Sequence, residues 1–329
     1  MTASLHPLAQ RELAKEAEWN APNVEALASA YRAGRLCLVL GAGVSKGCGL
    51  PVWQELTRAL LRRALAGLYE SVDPTEAPLH ERDIEAVLKD RVRPMVARYV
   101  KAKLGAGYLD AVRQALYARP WRPSGTLRAI LSLDSVHAIL TQNFDDLLER
   151  CAERMGLSDR YQTIFGAPMD PRTGRIPIFH THGYLPSDPS HPGSSQIVFS
   201  EDDYHELFHQ GRPWSDHVTI QLLARYPCLL IGTSGEDPNF RRLLDLARRL
   251  AVPPRHYLLL KPPVPPPRDR RGAIRYTASR RALWDAFDHL GIEVLWIHRY
   301  DRDITRILGT IRGGPAPPGG ERGERCGPA

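Results

Sequence analysis

Residues 36–53 constrain the chain more than any other stretch. They read Leu36-Cys37-Leu38-Val39-Leu40, then Gly41-Ala42-Gly43-Val44-Ser45, then Lys46-Gly47-Cys48-Gly49-Leu50-Pro51-Val52-Trp53. An apolar run of this kind suits a strand buried on both faces. The glycines follow at once, and after Trp53 the residues Leu56, Leu60 and Leu61 recur at helical spacing. Strand, glycine turn, helix is the order that brings backbone N–H groups up to a phosphate. The spacing is not the G-x-G-x-x-G of a dinucleotide fingerprint, because position 46 is Lys, and no Gly-Lys-Ser/Thr follows as in a Walker loop. Taken alone, the turn reads either as a phosphate cradle or as a tight connection.

The rest of the chain bears on that choice. A helix is expected over residues 7–35, with Leu13, Val24, Leu27 and Tyr31 on its apolar face and Asn23 capping a second segment. Residues 54–132 read as helical text broken by Pro74, Pro78, Gly105, Gly107 and Pro120. One crossover needs a single helix, so a helical insert or cap beside the sheet is expected, of the kind that often closes a ligand cleft. Further strands are expected at residues 135–140, 175–179, 228–231, 256–260 and 293–297. Polar clusters fall at the ends of four apolar runs: Gly41 with Ser45; Thr141, Gln142, Asn143, Asp145 and Asp146; His180, His182 and Gly183; Gly232, Thr233 and Ser234. Open parallel sheets bind ligands at the carboxyl ends of their strands. One such cluster is a turn; four on one edge are a site. The expected fold class is α/β, a Rossmann-like parallel sheet flanked by helices, with a helical insert.

Composition narrows the function. The 329 residues are 43% hydrophobic and 25% charged, ordinary for a globular protein. No apolar run approaches the roughly 20 residues of a membrane helix, and residues 1–20 contain no apolar leader core, so a cytoplasmic location is expected. Cys37, Cys48, Cys151, Cys228 and Cys326 are scattered with no C-x-x-C pair. That argues against a zinc ribbon and a disulfide framework, and no metal site is expected. The net charge is +7, but the basic residues are spread along the chain rather than massed in a stripe, so nucleic-acid binding is not indicated. One catalytic unit is expected over residues 1–312, its insert at about 54–132, with a disordered Gly/Pro tail over 313–329.

In this order the clusters resemble the sirtuin family. The resemblance rests on Gly-Ala-Gly-x-Ser (Gly41, Ala42, Gly43, Ser45), Thr-Gln-Asn-x-Asp (Thr141, Gln142, Asn143, Asp145), His182-Gly183 and Gly232-Thr233-Ser234. It spans residues 36–297 and implies an NAD-binding domain. Two departures stand out. The two C-x-x-C pairs that protein-deacylating sirtuins carry after the His-Gly are missing, and Gly49-Leu50-Pro51 runs into Val52-Trp53-Gln54 in place of Asp-Phe-Arg. Glu201-Asp202-Asp203-Tyr204 and Gly235-Glu236-Asp237-Pro238-Asn239 look like the divergent prokaryotic branch, whose members are implied to be NAD hydrolases in antiphage defence. By that analogy, activation comes from homo-oligomerisation or from a separate partner, for example a helicase/translocase-type ATPase of the HerA kind.

The resemblance therefore implies an NAD glycohydrolase that releases nicotinamide and ADP-ribose. Asn143 is expected to fix the ribose or the attacking water, His182 to act as general base, and Asp145 to orient the Asn143 loop or the ribose. The N–H groups of Ala42, Gly43 and Val44, with Ser45, are expected at the pyrophosphate. Gln142 belongs to the same NAD site, and Thr233 and Ser234 to its adenosine side. The alternatives are an NAD-dependent protein deacylase and a non-catalytic NAD or ADP-ribose-binding subunit. Each residue also has a plainer reading: Asp145 as a helix cap, His180 as structural, His137 as core, Trp53 as helix packing, and Asp237 as the cap of the helix after Pro238.

Overall fold

The apolar runs become the strands of one sheet. The computed structural model describes residues 5–66, 82, 84–86, 88, 93–167, 170–209, 213–235, 237–250 and 254–313. Its strands are β1 (Cys37–Leu40), β2 (Ala138–Thr141), β3 (Tyr161–Ile164), β4 (Ile176–His180), β5 (Cys228–Ile231), β6 (His256–Leu260) and β7 (Ile292–Trp296). They form a seven-stranded sheet in the order β3-β4-β2-β1-β5-β6-β7, and every adjacent pair is parallel. This is the Rossmann-like architecture expected of the strand–turn–helix pattern.

The period-two alternation of the strands divides the core into two layers. Leu38, Ile139, Leu229 and Leu259 face one side of the sheet, and Val39, Leu140, Leu230 and Leu258 face the other. The helices are α1 (Pro7–Arg32), α2 (Ala42–Gly47), α3 (Trp53–Ala66), α4 (Arg93–Leu104), α5 (Tyr108–Leu116), α6 (Gly125–Leu131), α7 (Leu147–Arg154), α8 (Glu201–His209), α9 (Trp214–Arg225), α10 (Pro238–Leu250), α11 (Arg270–Asp288) and α12 (Tyr300–Arg312). Leu27 of α1, Leu127 of α6, Leu147 of α7 and Ile307 of α12 cover the first layer. Leu223 of α9, Leu244 of α10 and Phe287 of α11 cover the second.

Four sequence expectations change here. Strand β3 escaped notice because Gln162 and Thr163 at its centre are half-exposed on an edge strand, so only Tyr161 and Ile164 are buried. Helix α1 is continuous through Pro22, without a second capped segment; the Asn23 amide donates instead to the Trp19 carbonyl. His137 is exposed and precedes β2, its ring stacked 3.9 Å from that of Tyr226. The glycine turn closes into the short helix α2. Within residues 54–132 the described elements are helical and pack on one another, α3 against α4 and α5. Pro74, Pro78 and Val87 lie outside the described residues, as does the tail after Gly313.

The strand order reverses between β1 and β5, which puts the topological switch point there. Two backbones meet at that crevice. The Gly43 N–H donates to the Gly232 carbonyl at 2.8 Å, and a Cβ placed on Gly41 would stand 2.7 Å from the same oxygen. Gly232 has φ +74°, and a Cβ there would meet Val44 N at 2.7 Å. Only glycine fits both the left-handed backbone and the contact. Gly232→Ala is expected to destabilise the fold by at least about 2 kcal/mol, read as a lower urea midpoint; an unchanged midpoint would mean that the two turns are not in contact.

Candidate functional site

The four polar clusters stand side by side. Leu40 is in register with Thr141 and Ile231, and Thr141 with His180, so the clusters leave the sheet at one level on its carboxyl edge. They border a cleft of about 680 Å³ lined by Gly41, Ala42, Gly43, Ser45, Gln142, Asn143, Asp145, His182, Gly232, Thr233 and Ser234. Val44 alone among the expected residues is not in its lining: its side chain is buried and its N–H donates to the Gly41 carbonyl at 3.0 Å. The N–H of Gly43 is likewise engaged, by Gly232, so of the Ala42–Gly43–Val44 cradle two N–H groups serve the fold.

Ser45 is also engaged. Its buried hydroxyl donates to Asp145 Oδ2 at 2.6 Å and accepts from Asn143 Nδ2 at 3.0 Å. The Asn143 amide also donates to the Gly41 carbonyl at 3.1 Å. A carbonyl only accepts, so this contact fixes which end of the amide is nitrogen. Oδ1 is left as the end without a partner among the described residues. Asp145 Oδ1 accepts from the Leu147 N–H at 3.2 Å, so the carboxylate caps α7 as well as holding Ser45. Burial raises the Asp145 carboxyl to about 6, against the opposing hydrogen bond from Ser45.

His182 is buried at the rim, its ring edge-on to Tyr204 at 5.9 Å between centroids. Burial lowers its pKa, with Asp237 and Asp216 pulling the other way, so the imidazole is neutral and basic at pH 7. On its other side His182 borders a second cavity of about 350 Å³, beside Gly183, Ser194 and Trp214. His180 is a different kind of histidine. It is fully buried, with Nδ1 at 2.9 Å from the Asn143 carbonyl and Nε2 at 2.9 Å from Glu149. Burial opposes its charge, but Glu149 and the Asn143 carbonyl prevail and raise its pKa. Its Nδ1 holds the Asn143 loop and its Nε2 holds Glu149 of α7.

The helical insert reaches this site. The Tyr117 hydroxyl, just past α5, donates to the Leu185 carbonyl at 2.8 Å and accepts from the Asp146 N–H at 3.0 Å. One phenol thereby ties the Asn143 loop to the His182 loop. Asp203 accepts from Ser200 N at 2.6 Å at the start of α8 and pairs with Lys101 of α4. That contact anchors the segment presenting Phe199 and Tyr204 to the cleft.

Several lining residues were not picked out as site residues from the sequence. Phe199 stacks on Trp53 at 5.0 Å and meets Phe144 edge-on at 6.1 Å, giving the cleft an apolar wall. Trp53 therefore packs, as its plainer reading had it, and lines the cleft as well. Asp237 accepts from Asn239 N at 2.9 Å, which is the capping role expected of it, and also from Gln142 Nε2 at 3.2 Å. The sequence signals were present in Val198-Phe199 ahead of the Glu201-to-Tyr204 motif, but an aromatic after an apolar pair reads as core. Among the described residues no group of three or more His, Cys, Asp or Glu side chains is arranged to hold a metal ion, and no helix is long and apolar enough to cross a membrane.

Sheet order, switch point and cleft define a Rossmann-like α/β protein with its candidate site at the carboxyl edge. The comparison with known families narrows the class. Residues 137–285 match the model of the SIR2-like domain, a span that takes in Asn143, His182 and Gly232 and begins beyond the first glycine turn. Over that span the chain is similar to the SIR2-like domain, a likeness that suggests NAD-related activity. No curated protein matches the sequence. A solved structure titled "Structural Basis for the Mechanism and Regulation of Sir2 Enzymes" aligns over 88% of this chain and 96% of its own, at 13% identity and a TM-score of 0.40, too loose an overlay to support an argument about the site.

The Asp145 carboxyl yields a test. Its folded pKa of about 6 lies above the unfolded value near 3.9. The folded state therefore holds the proton more tightly, and this contribution is lost as pH rises from about 4 to about 6. Its full size is of the order of 3 kcal/mol. Urea denaturation from pH 4 to 7 is expected to show wild type losing stability relative to Asp145→Asn over that window. Parallel curves for the two proteins would mean an ordinary carboxyl.

Proposed function

We propose that the cleft binds NAD and that the chain hydrolyses its nicotinamide–ribose bond. The observation that carries this reading is the fixed amide of Asn143, whose Oδ1 is left without a partner in the same cleft as the neutral base His182. Such an arrangement suits an oxocarbenium-like transition state, which needs little nucleophilic push but a held ribose and a nearby base. In the proposed reaction the C1′–N bond breaks with its electron pair going to the nicotinamide nitrogen. Asn143 Oδ1 accepts a hydrogen bond from a ribose hydroxyl or from the attacking water. Water adds to C1′ and its proton passes to His182. Asp145 acts through Ser45 as a positioning residue. The cavity behind His182 offers water an approach separate from the cleft.

The nucleotide is proposed to lie along the crevice, its pyrophosphate over Gly41, Ala42 and Gly43 and its adenosine side towards Gly232, Thr233 and Ser234. With the Gly43 and Val44 N–H groups and the Ser45 proton already engaged, the phosphate contact falls on the Ala42 N–H and on the field of the turn. The apolar wall of Trp53 and Phe199 is proposed to hold the nicotinamide end. Hydrolysis rather than deacylation is favoured by the sequence, which carries no C-x-x-C pair after His182-Gly183. In the cell, NAD depletion on activation in antiphage defence is the proposed role, restrained by homo-oligomerisation or by an ATPase partner of the HerA kind.

Nicotinamide and ADP-ribose release from NAD, with no acyl peptide present, tests the reading in the purified protein, alone and with a neighbouring gene product. Asn143→Ala and His182→Ala are each expected to lower release by about 10²-fold or more while remaining folded, as read by a cooperative urea transition. Retained release in a folded Asn143→Ala protein would sink the assignment, and turnover only with an acetyl-lysine peptide would favour deacylation. Because burial lowers the His182 pKa, the acid limb of the rate profile is expected to fall below the ordinary histidine value of about 6.5. Activity lost already above that value would point to another base.

A further inference from the structure

A second cavity, remote from the glycine turn in sequence, lies between α1 and the start of α12. Its volume is about 360 Å³, within the range of small-molecule sites. The floor is made by Leu13 and Ala17 of α1 and by Trp296 at the end of β7. The rim is cationic. Arg299, Arg302 and Arg306 line it at helical spacings of three and four, so they share one face. None of the three has an ion-pair partner among the described residues, unlike Arg255, Arg280 and Arg281 nearby in the chain.

The two carboxylates at the cavity are accounted for. Glu16, buried to 9% exposure, accepts from Arg280 Nη2 at 2.9 Å and lies 3.1 Å from His298 Nε2. Asp303 accepts the N–H groups of His298 and Arg299, both at 2.8 Å, and so caps α12. The three rim arginines therefore remain as a cationic excess. Deeper in the cavity, Asn20 Oδ1 is buried and has no hydrogen-bond partner, although its amide nitrogen reaches the Trp296 carbonyl at 3.5 Å. A buried acceptor left bare is unfavourable unless something donates to it.

We infer that this cavity is a second ligand site, distinct from the NAD cleft, and that it takes a nucleoside phosphate. Each part of such a molecule has a counterpart. The guanidinium groups match phosphate oxygens with paired N–H donors. The bare Asn20 oxygen accepts from a ribose hydroxyl or a base amino group. The flat base lies against Leu13, Ala17 and Trp296. A bare inorganic anion would leave the floor and Asn20 unused.

ADP is the probe, titrated calorimetrically into the full-length chain. Wild type is expected to show two binding events, one for each site. Arg302→Glu/Arg306→Glu alters only exposed side chains and is expected to fold normally. It should weaken one event at least about tenfold while leaving the other event, and nicotinamide release at the cleft, unchanged. Asn20→Leu, which keeps the charge, should weaken the same event without altering its salt dependence. An ADP isotherm unchanged by the double arginine variant would overturn the inference, whether wild type shows one event or two, as would no ADP binding at all; a single event that the variant abolishes would uphold this site and count against ADP binding in the cleft.

Discussion

The hydroxyl of Ser45 joins two parts of the chain that are about a hundred residues apart. It donates to Asp145 and accepts from Asn143, with separations in sequence of 100 and 98. The contact with Asp145 is buried and that with Asn143 partly so, which leaves the Asp145 carboxyl without water as an alternative partner for Ser45. With Asp145 fixed by the start of α7 and Ser45 fixed by α2, the Asn143 amide has one orientation left. The direction of its free oxygen thus follows from the fold and not from the ligand. This is the preorganisation a held transition state requires: the cost of aligning the group is met during folding.

That chain of hydrogen bonds is itself supported from outside the sheet. Tyr117 bonds both the Asp146 N–H and the Leu185 carbonyl, and the Leu185 N–H returns to Phe144 at 2.6 Å. His180 contacts the Asn143 carbonyl from beneath. Removing the insert would leave the Asn143 and His182 loops joined by their direct bonds, Leu185 N–H to Phe144 and Ser187 to Asp146. The insert is therefore more than a cover: through Tyr117 it helps fix the separation between Asn143, the residue proposed to hold the ribose, and the proposed base. Lys101 does the same for the aromatic wall through Asp203.

Much of this was legible in the sequence, for definite reasons. The strands carrying the site are continuous apolar runs, because a central parallel strand is buried on both faces. Each is followed at once by its polar cluster, so the edge of the sheet can be read before the sheet is known. The edge strand β3 lacks that signature, since half of it faces solvent. The engagement of the Gly43 N–H was invisible because its partner, the Gly232 carbonyl, is set by the approach of β5, whereas Val44 is engaged within the turn by Gly41. Ser45 looked like a phosphate ligand for the same reason: its true partners are distant in sequence. The aromatic wall was hidden because Phe199 and Trp53 also serve the core, and a residue with two duties reads as the commoner one.

The floor of the crevice has a consequence for how such a protein can diverge. Gly41, Gly43 and Gly232 press main chain against main chain, with no room for a Cβ on any of them. A substitution there alters the meeting of β1 and β5 before it alters a ligand contact. Change in what the pocket accepts is therefore channelled to its other walls, to Trp53 and Tyr204 on helices outside the sheet and to Phe199 just ahead of one of them. A lineage built on this scaffold would keep a nearly constant grip on one end of its ligand while the other end drifts. Diversity of chemistry would then appear as variation in the helical cap, over a base that hardly changes.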